Sequence, residues 1–63
     1  MEKYNLVGID NNAFSVLAYV CSAMREEGKG IKEIEAYMTE AKSGNYDNLL
    51  CVSMDMIDNL NEL

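Results

Sequence analysis

The chain is 63 residues long, 49% hydrophobic and 25% charged, and 11 acidic against 5 basic residues leave a net charge of −6. Such a composition describes one small globular domain rather than a disordered segment. With no His in the chain, imidazole acid–base catalysis and His-ligated zinc are excluded, and the acidic balance argues against nucleic acid or an anionic membrane surface as partner.

A domain this short buries only about 60% of the surface its unfolded chain exposes and commonly leans on a disulfide, a metal or a second subunit. Cys21 and Cys51 offer at most one bridge, which is no disulfide framework. The start Met1-Glu2-Lys3-Tyr4-Asn5 lacks the basic-then-apolar pattern of a secretory signal. The longest nearly apolar stretch, Ala13 to Met24, is too short to span a bilayer. These features point to a cytoplasmic protein with reduced thiols. The plain role of the acidic surface is solubility; the sharper alternative is a surface directed at a basic partner.

Residues 1–11 read as a short arm. Leu6, Val7 and Ile9 around Gly8 suit an extended segment, and Asp10-Asn11-Asn12 form a turn in which Asn11 tolerates left-handed backbone and Asn12 or Asp10 caps the next helix. A calcium loop fails on spacing, because Phe14 and Val16 fall where oxygen ligands should continue.

The first helix is expected from Asn12 to about Glu27, with Gly28 just past its end. At about 100° per residue, Ala13, Phe14, Leu17, Cys21 and Met24 share one side, and Val16, Tyr19, Val20 and Ala23 the adjacent one. Its apolar girth is roughly twice the usual stripe of about 100°, so it must be covered on two sides and is expected at the centre of the structure. The second helix, Ile31 to about Lys42 and ending at Gly44, carries the narrow stripe Ile31, Ile34, Tyr37, Met38, Ala41 and is expected at the periphery. The third starts near Asn45 or Asp47 and runs to about Asn59. Tyr46, Leu49, Leu50, Ile57 and Leu60 share its apolar face with Ser53 in the middle, and Val52, Met54 and Met56 widen the edges. Cys51 falls on the polar side and Cys21 on the main apolar face of the first helix, so a bridge would turn one helix away from its contacts. Two free thiols are expected.

Short loops bring neighbouring helices together, and the fold expected is all-α, a compact three-helix domain with a short extended N-terminal arm. Its core would draw on Phe14, Leu17, Met24, Ile31, Ile34 and Met38 from the first two helices and on Leu49, Leu50, Met54 and Ile57 from the third. That leaves Val16, Tyr19, Val20, Val52 and Met56, with Leu6 and Val7 of the arm, as an apolar surplus. Two readings stand open. Either the arm folds back over the first helix, or pairs with the C-terminal tail, and covers the surplus. Or Val16, Tyr19, Val20, Val52 and Met56 form a contact with a protein partner, first of all a second copy in a symmetric homodimer.

Catalysis finds little support. Cys51 lacks a His partner, and its acidic neighbours Asp47 and Asp55 oppose a thiolate. The carboxylate pairs Glu26-Glu27 and Asp55/Asp58 read as solvated faces. Asp55, Asp58 and Glu62 have no metal-selecting spacing. Gly28-Lys29-Gly30 lies between two helices, where it stops a helix rather than cradling a phosphate, and the third helix has no basic residue with which to read DNA. No cofactor, no metal, no nucleic acid and no membrane partner are expected.

Three runs, Asn5-Leu6-Val7-Gly8-Ile9-Asp10-Asn11-Asn12-Ala13-Phe14, Ala23-Met24-Arg25 and Ala41-Lys42-Ser43-Gly44-Asn45-Tyr46-Asp47-Asn48-Leu49-Leu50, resemble a group of short bacterial and bacteriophage proteins. Gly often stands there in place of Asn11, and Asp in place of Asn45; both exchanges keep a turn or cap role. The resemblance brings no named biochemical activity with it; it implies a mobile-element or prophage origin and adds no site. Taken together, the sequence describes a non-enzymatic interaction protein that self-associates, or alternatively an acidic phage-type inhibitor that occupies a basic surface of a host protein.

Overall fold

Asn12 opens α1 (Ala13–Glu26) from extended backbone, its side-chain oxygen accepting the Phe14 amide at 2.8 Å. Asp10 does the same for the Asn12 amide at 2.8 Å, so this cluster is the expected capping turn. The left-handed residue is not Asn11: among the described residues positive φ occurs only at Gly8 (89°) and Gly28 (82°). Gly8 closes a turn in which Ile9 N–H donates to Leu6 O at 3.1 Å. Gly28 ends α1 as expected, with Gly28 N–H on Arg25 O at 3.0 Å and Lys29 N–H on Met24 O at 2.9 Å, the paired closure of a Schellman cap.

The computed structural model describes residues 3–63, and among them it contains α1, α2 (Ile31–Ala41) and α3 (Tyr46–Asn61) and no strand. The expected all-α three-helix domain with an extended arm is the fold, with α3 two residues longer than expected. Gly44 does not serve as a left-handed stop for α2. It stands where a Cβ would lie 2.9 Å from the Asn48 Cβ, and that close approach lets the Asn48 side chain donate to Glu40 O at 3.1 Å. Asn45 caps α3 by accepting the Asn48 amide at 3.0 Å. One hydrogen-bonded knot thus ends α2 and begins α3, satisfying amides and carbonyls that helix ends leave open.

The core is built from Val16, Leu17, Val20, Ala23 and Met24 of α1, Ile34, Tyr37 and Ala41 of α2, and Leu49, Ile57 and Leu60 of α3, joined by Tyr4 of the arm. Of the residues expected there, Met38 and Leu50 are only partly buried against it, and three are exposed: Phe14, Ile31 and Met54 at 76%, 75% and 56%. Phe14 and Ile31 lie in the first turns of their helices, beyond the stretch where the neighbours cover them, and Met54 sits on the solvent edge of its stripe. A helical wheel sees angle but not position along the axis. The central helix is also a correction. Both α1 and α2 pack mainly on α3 and touch each other only over a small contact. The broad apolar girth of α1 is nonetheless covered on two sides, because the arm takes the share that α2 leaves.

That cover is polar at its edges. Tyr4 N–H donates to the Asn61 side-chain oxygen at 2.8 Å, and Asn61 Nδ2 returns a bond to Tyr4 O at 2.9 Å. Asn5 N–H donates to the Tyr19 hydroxyl at 3.0 Å. The Tyr4 hydroxyl donates to Glu27 at 2.5 Å, and Lys3 pairs with the same carboxylate oxygen at 2.7 Å. Leu6 and Ile9 pack against the core behind these bonds. The arm therefore both folds over α1 and pairs with the C-terminal end of α3.

Candidate interaction surfaces

With the arm in place, Val16 and Val20 are 3% and 0% exposed. Neither offers surface to a partner in this fold, which corrects the expectation that they would join Tyr19, Val52 and Met56 in a partner contact. Tyr19 is half-buried, its hydroxyl engaged by Asn5. Val52 and Met56 are half-buried and line a groove between α2 and α3. The five residues expected to form one partner surface are therefore split between the interior, the arm contact and a groove on a different side.

The apolar surface that remains open lies elsewhere. Tyr46, Leu50 and Met54 follow one another at i, i+4 along α3, one stripe by helical geometry. Beside Leu50 and Met54, the arm supplies Leu6 and Val7 to a groove of about 450 Å³ floored by Ile57, with Asp58 at its rim. Beside Tyr46, Phe14 and Leu17 of α1 meet Leu49 in a second groove of about 410 Å³ whose rim carries Lys42. Val7 is 85% exposed, Phe14 76%, Met54 56% and Tyr46 39%. The stripe runs from the N-terminal turn of α3 to its third turn with one groove beside each end, Lys42 at the rim of one and Asp58 at the rim of the other.

The interior holds no idle chemistry. Among the described residues no buried side-chain nitrogen or oxygen lacks a hydrogen-bond partner. No three His, Cys, Asp or Glu side chains there are placed to hold a metal ion, and no helix is long and apolar enough to cross a membrane. Cys21 is buried and Cys51 exposed, both free thiols as expected; burial pushes the Cys21 thiol above its ordinary value, against the pull of Arg25 and Lys42. The Tyr37 hydroxyl and Ser53 Oγ, 2.5 Å apart, share a hydrogen bond inside the core. Burial drives the Tyr37 hydroxyl upward while Ser53 draws it down. At the arm, burial first, and then the Glu27 hydrogen bond, push Tyr4 up to about 12. The bonds from Lys3 and Tyr4 hold the Glu27 carboxyl below its ordinary value.

No family model, curated protein or solved structure matches the chain. The functional reading therefore rests on surface and charge alone.

Sequence reasoning missed Tyr4 and the arm-facing groove. Tyr4 stands outside any helical period, and its partner Asn61 is 57 residues away. The one signal available was that the arm carries apolar residues at all. Phe14 and Met54 each fall on the apolar side of a helix, a signal that does not separate core from open apolar surface.

Proposed function

We propose that the protein is a small non-enzymatic interaction protein that self-associates through the apolar face of α3, α1 and the arm. The observation that supports this is the run of exposed Val7, Phe14, Tyr46 and Met54 around Leu50 on a chain too small to hide more. The face suits a second copy. A two-fold axis near Leu50, with the α3 helices antiparallel, sets Tyr46 of each copy against Met54 of the other. It also brings Lys42, at one end, toward Asp58, at the other, which is the self-complementarity an isologous contact requires. Two free thiols, one of them exposed, fit a reducing cytoplasm. The resemblance to short bacterial and bacteriophage proteins supplies the proposed origin. A chain without His, whose exposed cysteine is flanked by Asp47 and Asp55, lacks the partners nucleophilic or acid–base catalysis needs.

Sedimentation equilibrium from micromolar to millimolar concentration tests the reading. The wild-type chain is expected at twice its monomer mass at the upper end, with little dependence on salt. Leu50→Asp and Met54→Asp, both at the edge of the core, are expected to remain monomeric with helical circular dichroism intact. A wild-type chain that stays monomeric throughout overturns self-association.

A further inference from the structure

The groove between α2 and α3 is a separate surface. Val52 and Met56 stand about 200° around α3 from Leu50 and Met54 at about 100° per residue, so a second copy seated on the apolar face leaves this groove open. Its floor is apolar: Ala36 and the ring of Tyr37 from α2, Val52 and Met56 from α3, around a space of about 320 Å³. Its rim is formed by Glu33 and Glu40 on one side and Asp55 on the other, all exposed. None of the chain's 5 basic residues lines it. The one ion pair among the described residues, Lys3 with Glu27, lies at the arm. The groove thus joins partly uncovered apolar side chains to three carboxylates with no cation to balance them.

We infer that this groove receives a basic amphipathic helix of another protein, with Lys or Arg side chains at i and i+7 on Glu33 and Glu40 and an apolar side chain between them on Val52 and Met56. The register follows from geometry. Glu33 and Glu40 are two helical turns apart on one face of α2, about 10 Å along the axis. A helix laid along α2 repeats its own residues at that interval. The stems of Lys and Arg cover apolar surface while their heads reach the carboxylates, and Ala36, the small residue of the floor, leaves room for the central apolar side chain. A second copy of this chain is the wrong occupant, because it brings a net charge of −6 toward an anionic rim. Helix-in-groove recognition read at i, i+3/i+4 and i+7 is a general mode of peptide binding.

The test uses the full chain and a synthetic helical peptide with Lys at i and i+7 and Leu at i+3 and i+4. Binding is followed by titration calorimetry and by amide NMR shifts. The peptide is expected to shift the amides of Ala36, Val52 and Met56, to bind at least about tenfold more weakly to Glu33→Lys or Glu40→Lys, and to lose affinity between about 50 and about 500 mM salt. A Glu-for-Lys version of the peptide is expected to bind the doubly reversed variant and not the wild type. These substitutions are on exposed helix positions and leave the apolar face untouched, so self-association is measured independently in the same variants. Three results overturn the inference: equal binding by a peptide whose Lys residues are moved off the i, i+7 spacing, equal shifts of the same amides by spermidine alone, or shifts confined to Leu50 and Met54.

Discussion

Ser53 is 0% exposed in the middle of an otherwise apolar contact, where the Tyr37 hydroxyl is its side-chain partner. A buried hydroxyl stripped of its partner costs about 1–3 kcal/mol, whereas removing both partners together comes close to neutral apart from packing. The two sides differ. In Ser53→Ala the Tyr37 hydroxyl is stranded among apolar groups. In Tyr37→Phe the serine hydroxyl can turn to the carbonyl one turn back in its own helix. Urea denaturation is therefore expected to rank Ser53→Ala as the more damaging single change, with the Tyr37→Phe/Ser53→Ala double variant losing less than the sum of the two. Strict additivity contradicts a coupled pair. At this scale the sequence was informative about position and silent about partnership. Ser53 stood out as the polar residue in an apolar face, and Tyr37 lay on the apolar stripe of its helix, but spacing within each helix carries nothing about which residue of another helix it meets.

At the scale of the element, the arm behaves as a strap closed by ionisable groups. Glu27 is held below its ordinary carboxyl value by Lys3 and Tyr4, so the stability it lends is present above the unfolded value of 4.5 and lost as the pH falls through the depressed folded value. Tyr4 is pushed from 10.0 up to about 12, so its contribution is complete below 10.0 and lost as the pH climbs toward 12. Lys3 is raised from 10.5, chiefly by its hydrogen bond to Glu27, and its contribution likewise fades on the alkaline side. The strap is expected to stay closed between those limits. Ring-carbon NMR of Tyr4 checks this by titrating near 12, and Tyr4→Phe removes that limb while leaving the Lys3–Glu27 pair. The ends of α1 and the start of α3 were legible because Asn12, Gly28 and Asn45 each have a physical reason to be there, and α2 was legible by its apolar period. The seating of the arm was not, because an extended segment has no period to betray its burial and its bonds span the chain. The misplacement of Phe14, Ile31 and Met54 has the opposite cause, a clear period that outruns the contact at helix ends and edges.

The whole molecule has a radius of gyration of 10.7 Å, as a close-packed domain of this length should. At this size three helices close one core but have too little bulk to cover every apolar side chain. Two patches stay open: the stripe of Tyr46, Leu50 and Met54, and, on another side of α3, the acid-edged groove of Val52 and Met56. The chemistry of their rims turns one surplus in the sequence into two distinct surfaces in space. It also sets opposite salt responses for them: apolar association changes little with ionic strength, and a carboxylate-rimmed groove weakens as screening grows.

The doubled bond between Tyr4 and Asn61 brings the two ends of the described backbone side by side. The fold is in effect a ring with one gap, and such rings tolerate being reopened elsewhere. A linker of a few residues from Leu63 to Lys3, with fresh ends cut at the exposed bend between Lys29 and Gly30, is expected to give a circularly permuted chain with the same helical spectrum and a cooperative melt. A permutant that melts without cooperativity shows instead that covalent continuity through that bend is indispensable.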